Sequence, residues 1–306
     1  MVIQKINIIL NPIAGKSKGV LSKVTGTLKE KNIAFEVLAT NSPGEAKLLA
    51  KISSENKSVD LLLVIGGDGT INEAVNGMVN SNLPLGIIPA GSLNCAAREI
   101  GLSFNPVEAL CELLNGKVKT IPLGKILFFG ENTDSTFQNN KERYFLLMAG
   151  IGLDAKAVVD FNPKLKKIVG PLAYVWSGLK QIFSRNHPLV QFETNKRTIT
   201  GYSGIINKFK TYAWFNFAPE AGIEKEFFQM FVYKKNNIMS LIRYSIGGMF
   251  GLHRKFSDVE SVLTNSIKAS SNGIIFIQAD GEAAGTLPAE ISIVPCSLKI
   301  IVPKGN

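Results

Sequence analysis

The stretch LLLVIGGDGTINEAV, residues 61–75, decides the fold. Its first five residues are a continuous apolar run, the pattern of a strand covered on both faces. The run meets Gly66, Gly67, Asp68, Gly69 and Thr70, and a helix is expected to begin near Ile71. Along that helix Ile71, Ala74, Val75, Met78 and Val79 share one face, and Asn72, Glu73 and Asn76 another. Strand, glycine turn and helix in this order put the turn at the carboxyl end of a parallel strand, where α/β sheets take ligands. Glycines let a phosphate approach backbone N–H groups, and a helix N-terminus favours its charge. A lone Asp68 would repel that phosphate unless its carboxylate faces a metal ion or a hydroxyl proton. The other reading is a tight turn in which Asp68 only caps a helix.

The same alternation runs outward on both sides. Ile6, Ile8, Ile9 and Leu10 read as a short buried strand, followed by the loop NPIAG (residues 11–15) and a helix with Leu21, Val24 and Leu28 on one face. IAFEVLAT is the next strand, and Ser42-Pro43-Gly44-Glu45 reads as a helix start with Ser42 as N-cap and Pro43 in first position. After LPLGIIPAGS, the segment CAAREIGL reads as a helix ended by Gly101. These spacings predict a doubly wound parallel sheet over residues 1–124. NPIAG, GGDGT and PAGSLN (residues 89–94) would then open on one edge. Gly15-Lys16-Ser17 resembles the end of a Walker loop, but Leu10 stands where that motif needs glycine.

From about Lys125 the texture changes. GKILFF and YFLLMAGIG read as a hairpin around a long polar tip, and a run of short strands follows through GIIFIQADGE. An antiparallel β-sandwich or barrel is expected over residues 125–306, interrupted by helices near 168–184 and 237–251.

Composition narrows the partners. With 45% hydrophobic and 19% charged residues among 306, a sizeable core is expected and global disorder is excluded. A net charge of +10 suits a phosphate-bearing or anionic partner. Cys95, Cys111 and Cys296 form no CxxC pair, so zinc and a disulfide framework are not supported, and three buried thiols are expected in a reducing cytoplasm. MVIQKINIIL reads as a strand start rather than a leader, and no apolar run reaches the roughly 20 residues of a membrane span. His187 and His253 have no partner pattern and read as structural.

The ordered set NPIAG, GGDGTINE, PAGSLN with AREIGL, GIGLDA, FAPEA and DGE resembles the diacylglycerol kinase-type lipid kinases, the superfamily that also holds sphingosine kinases. GGDGT alone is shared with NAD kinases. The resemblance covers nearly the whole chain. It implies an NAD kinase-like α/β domain and a β-sandwich domain that binds the lipid, with ATP between them. By the same resemblance Asn11, Pro12, Ile13, Ala14, Gly15, Thr40, Gly66, Gly67, Asp68, Gly69, Thr70, Ile71, Asn72 and Ser92 line the nucleotide. Glu282 of Asp280-Gly281-Glu282 is the implied catalytic base, Asp68 the group that positions magnesium or the lipid hydroxyl, and Asp154 of GIGLDA the holder of the lipid head group.

ATP and Mg2+ are the implied cofactors. Three departures from the family pattern stand out. Ser92 replaces the usual Thr, Cys95 a frequent Asp, and Lys225-Glu226 an Asp-Gly pair whose Asp binds a structural magnesium. A protonated lysine cannot ligate a cation, so a Lys225 ammonium, or nothing, is expected in that place.

The expected activity is transfer of the ATP γ-phosphate to a lipid hydroxyl, of diacylglycerol or a related lipid. The alternatives are a soluble NAD kinase-like enzyme and a non-catalytic nucleotide- or lipid-binding relative. Expected partners are the lipid and an anionic membrane surface, with no nucleic acid and with a homodimer left open. The expected location is cytoplasmic, peripheral on the inner face of the membrane. Residues 236–255 mix apolar side chains with Arg243, Arg254 and Lys255, and residues 162–186 carry Lys164, Lys166, Lys167, Lys180 and Arg185 beside Trp176 and Phe183. Each segment reads as an interfacial helix or as a helix packed on the sandwich.

Overall fold

A computed structural model describes residues 2–13, 17–130, 141–159, 188–212 and 215–305. Ala14, Gly15, the helix expected near 168–184 with its cations, and His187 lie outside the described residues. The chain forms two compact units, Met1–Leu123 with Pro295–Asn306, and Gly124–Val294. The expected second domain over 125–306 is therefore corrected at its end. Strand β18 (Ala289–Val302) lays Ile300 parallel beside Leu85 of β4 (Leu85–Pro89) and buries Leu298, Ile300, Ile301 and Val302, which draws the C-terminal stretch into the first unit.

The first unit is built on parallel pairs. β1 (Lys5–Leu10) lies between β2 (Ala34–Ala39) and β3 (Leu61–Gly66), and β3 pairs with β4. Every residue of β3 is buried, so the sheet is covered on both faces. Its helices are α1 (Ser17–Glu30), α2 (Glu45–Glu55), α3 (Asp68–Met78), α4 (Cys95–Glu99) and α5 (Pro106–Leu114). α2 packs on α3, and α1 on α5. Gly77 makes the first contact close: a Cβ there would lie 2.2 Å from the Lys47 carbonyl oxygen.

Three local expectations change. α3 begins at Asp68 rather than near Ile71, and Asn72, on the face opposite its apolar stripe, is buried. The cap of α2 is Gly44, left-handed at φ 86°, and not Ser42. Glu45 Oε2 still reaches back as the expected box requires, accepting the N–H groups of Asn41 and Ser42 at 2.6 and 3.2 Å, but the left-handed Gly44 turns the chain between them. Of the three cysteines only Cys95 is buried, and Cys296 is exposed.

Among the described residues the second unit holds two larger antiparallel arrangements of strands and a small two-stranded sheet of Thr211–Tyr212 with Phe215–Asn216. One has the order β14-β13-β10-β7-β16-β17, made of Val259–Thr264, Phe228–Tyr233, Ser203–Asn207, Met148–Ile151, Phe276–Ala279 and Glu282–Thr286. In the other, β15 (Ser266–Ser271) pairs with the start of β18 and with β8 (Val190–Thr194). Phe192 of β8, Ile206 of β10, Phe228 of β13 and Ile277 of β16 share one buried cluster, the core of a sandwich.

The expected hairpin is present, but its second arm divides. β6 (Glu142–Phe145) pairs with β5 (Lys117–Phe128), and β7 then pairs in the other sheet. At the corner the buried Asp280 carboxylate accepts the N–H groups of Leu146, Leu147 and Met148 at 2.8, 2.8 and 3.0 Å. A chain changing sheets leaves its ladder amides without strand partners, and this carboxylate supplies them.

Candidate functional site

In the first unit the loops after β1, β2, β3 and β4 gather at the carboxyl edge of the sheet. Asn11 Nδ2 donates to Thr70 Oγ1 at 3.1 Å, joining the first loop to the glycine turn. The Thr40 N–H donates to the Leu10 carbonyl at 2.9 Å, and that of Ala90 to the Gly66 carbonyl at 3.0 Å. Gly67 and Gly91 stand so close that a Cβ on Gly91 would lie 2.5 Å from Gly67 Cα. Asn94, left-handed at φ 50°, closes the fourth loop by accepting the Gly91 N–H at 2.8 Å. Ser92 and Ile13 are exposed here, whereas the side chains of Ile71 and Asn72 are buried.

Asp68 sits at the join. Its Oδ2 accepts the N–H of Cys95 and its Oδ1 that of Ala96, each at 3.1 Å, so the carboxylate caps α4. The capping reading of the turn thus describes this geometry. Burial pushes the Asp68 carboxyl above the usual carboxylate range, and the Ala96 and Cys95 amides oppose that shift. α3 has Gly67 as its N-cap, so no cap side chain closes its first turn. Its amides face the loops with the positive end of the helix dipole behind them.

The second unit holds the other candidates. Asp280 and Gly281, at φ 51° and 83°, make the two-residue turn that pairs Ala279 with Glu282. Glu282 is paired with Arg143, Nη2 to Oε2 at 2.5 Å. Asp154, on α6 (Leu153–Val159), accepts from Gln278 Nε2 at 2.7 Å and from the Tyr212 hydroxyl at 3.4 Å. Gln278 Oε1 in turn accepts the Gly281 N–H at 2.8 Å. Asp154 and the Glu282 turn are therefore linked through one glutamine. Burial raises the Asp154 carboxyl, and burial together with the Asp154 charge raises the nearby Tyr233 phenol. Arg143 and Gln278 were not singled out from the sequence, because a lone Arg in ERYF and a Gln inside an apolar strand carry no motif.

The stretch leading to Lys225 is held by another lysine. Lys208 is fully buried, and its Nζ donates to the carbonyls of Gly222 and Ile223 at 2.9 Å each. Lys225 instead lies 6.0 Å from the centre of the Phe227 ring. The ammonium on these carbonyls belongs to Lys208 and not to Lys225. Among the described residues no group of three His, Cys, Asp or Glu could hold a metal ion. These residues do not fit a structural magnesium.

Known proteins resemble this chain over nearly its whole length. The diacylglycerol kinase catalytic domain family matches residues 5–126, and the YegS C-terminal NAD kinase beta sandwich-like domain matches residues 148–302. A diacylglycerol kinase of Bacillus subtilis (strain 168) is 26% identical over 309 residues, covering 98% of this chain and 97% of that protein. One of Staphylococcus epidermidis (strain RP62A) is 29% identical over 310 residues, covering 98% and 93%. A crystal structure of a diacylglycerol kinase from Bacillus anthracis str. Sterne superposes with a TM-score of 0.78 at 22% identity, covering 99% of both chains, which speaks for the fold. With both halves matched in order, this chain belongs to the diacylglycerol kinase catalytic-domain family, its second unit carrying the YegS-type NAD kinase beta sandwich-like domain.

Proposed function

We propose that the protein is an ATP-dependent lipid kinase that phosphorylates the hydroxyl of diacylglycerol or a related lipid. The observation that carries the reading is the convergence of the Asn11, Gly66–Thr70 and Gly91 loops at the uncapped start of α3. Such a turn offers backbone N–H groups to phosphates without a side chain in the way. Phosphoryl transfer asks for positioning and charge stabilisation more than covalent chemistry. Magnesium enters this scheme with the nucleotide, as part of the substrate.

Glu282 takes the proton of the attacking lipid hydroxyl, the oxygen bonds to the γ-phosphorus, and the bond to the β–γ bridging oxygen breaks as ADP leaves. Arg143 holds Glu282 in place. Asp154, tied through Gln278 to the same turn, receives the polar head group. Asp68 acts by holding the α4 start against the glycine turn. Membrane lipid presented at an anionic surface is the substrate form. The test is transfer of labelled phosphate from ATP to a panel of diacylglycerol, sphingosine, other lipid alcohols and NAD. Labelled diacylglycerol or a relative supports the reading; label in NAD alone, or in nothing, removes it.

A further inference from the structure

Helix α7 (Ile238–Met249) is apolar on the side turned away from the protein. Its inward residues are Ser240, Tyr244, Gly247 and Gly248. The two glycines let it sit close: a Cβ on Gly247 would lie 2.5 Å from the Phe256 ring, and one on Gly248 3.0 Å from that of Phe217. Outward point Ile238, Met239, Ile242, Ile246, Met249 and, just past the end, Phe250. At 100° per residue these positions fall within about 120° of the helix circumference. Met239 is 77% exposed and Phe250 71%. Ordinary surface helices put the apolar stripe inward, and this one is reversed.

The charges around the stripe are of one sign. Lys234 and Lys235 precede the helix, Arg243 lies on it, Arg254 and Lys255 follow it, and residues 234–257 contain no Asp or Glu. Just beyond the segment Asp258, buried, pairs with Arg243 and Lys235, and Glu260 pairs with Lys234 and Arg197. A broad apolar band with cations at both ends matches a bilayer, whose acyl boundary takes the band and whose anionic phosphates take the rim. A two-fold pairing of two copies through this face, with helices antiparallel, would set Lys234 and Lys235 against Arg254 and Lys255, like against like.

We propose that the outer face of α7 docks on an anionic phospholipid bilayer, with the helix lying in the interface plane. This deepens the lipid-kinase reading by naming the surface that meets the membrane, and its test needs no enzymatic activity. The full chain is sedimented with vesicles of phosphatidylcholine alone and of phosphatidylcholine with phosphatidylglycerol. The wild type should bind the mixed vesicles, and the triple variant Met239→Gln, Ile246→Gln, Phe250→Ser should bind at least about tenfold less, because three buried side chains leave the acyl boundary.

Arg254→Gln with Lys255→Gln should remove most of the preference for the anionic mixture. Leu48→Gln with Ile52→Gln, exposed apolar residues of α2, should change nothing. All variants change exposed positions, and an unaltered thermal transition verifies their folding. The proposal is overturned if the wild type ignores anionic vesicles or if the folded triple variant binds them as well as the wild type. It is also overturned if light scattering finds a dimer that the triple substitution dissolves, since a second copy would then own the face.

Discussion

Arg143 and Glu282 form an ion pair in the second unit, and the same guanidinium reaches the Ala283 carbonyl through Nη1 at 3.5 Å. The planar fork thus spans side chain and backbone of one strand and holds Glu282 in a single orientation. A base works only within hydrogen-bond reach of the proton it takes. Glu282→Gln should therefore lower kcat by about 10²-fold or more and leave KM for ATP nearly unchanged. Arg143→Lys keeps the charge but loses the fork, and about a tenfold fall in kcat is expected. Steady-state rates in mixed micelles check both. Full activity in the Gln variant would remove Glu282 from the mechanism.

Asp68 leads to a different expectation. Its two oxygens receive the amides of Cys95 and Ala96, so Asp68→Asn sets an NH2 against one backbone donor. A loss of about 1–2 kcal/mol of stability is expected from the weakened cap. Because the tethered loop also carries Gly91 against Gly67, ATP affinity should fall several-fold along with kcat. Burial raises the carboxyl, so if the ionised form holds the loop, activity should decline on the acid side at a pH above the ordinary carboxylate range near 4. The Asn variant should lack that limb. ATP titration calorimetry and a pH–rate profile of both proteins decide it; unaltered ATP affinity would separate the cap from the nucleotide loops.

The parallel half of the fold was legible because β3 is a pure apolar run that ends in glycines. Periodicity of that kind survives in one sequence. The site was legible only where backbone geometry forces residue type, as in the Asp280-Gly281 turn, whose two positive φ angles suit Asp and Gly. Partners fixed by tertiary contact were not legible. Arg143 meets Glu282 and Lys208 meets Gly222 through the fold, and neither Arg143 nor Lys208 stands in a motif. The cap of α2 was misplaced because Gly44, left-handed at φ 86°, turns the chain after Ser42, and the sequence does not show that the helix waits until Glu45. The C-terminal return of β18 was missed because sequence texture reports strand type and not the sheet a strand joins.

Lys208 carries a prediction about metal. A buried ammonium donates to the carbonyls of Gly222 and Ile223, close in sequence to Lys225. Lys208→Met keeps the stem but strips both carbonyls of this donor, and about 1–3 kcal/mol of stability should be lost. Lys225→Met should cost far less, since that side chain only lies near the Phe227 ring. Without nucleotide, neither EDTA nor millimolar magnesium should move the wild-type thermal transition. A transition that rises with magnesium alone would show that a metal site exists after all.

Asp154 joins protonation to substrate. Its carboxyl is raised by burial, with hydrogen bonds from Gln278 and Tyr212 opposing. The folded protein therefore binds this proton more tightly than the unfolded chain does. Below about pH 4 both states are protonated and the group is neutral for stability. As pH rises the unfolded chain ionises first, so stability falls until the folded carboxyl has also ionised, and it levels off above that point. Asp154→Asn cannot ionise, so its thermal transition should gain on the wild type from pH 4 upward.

If Asp154 also holds the lipid head group, the variant should raise KM for the lipid several-fold while KM for ATP stays put. Thermal scans across pH and two substrate titrations make the test. Parallel stability curves would deny that the Asp154 carboxyl titrates high. An unaltered lipid KM would leave Asp154 a structural acid within the Gln278 turn and nothing more.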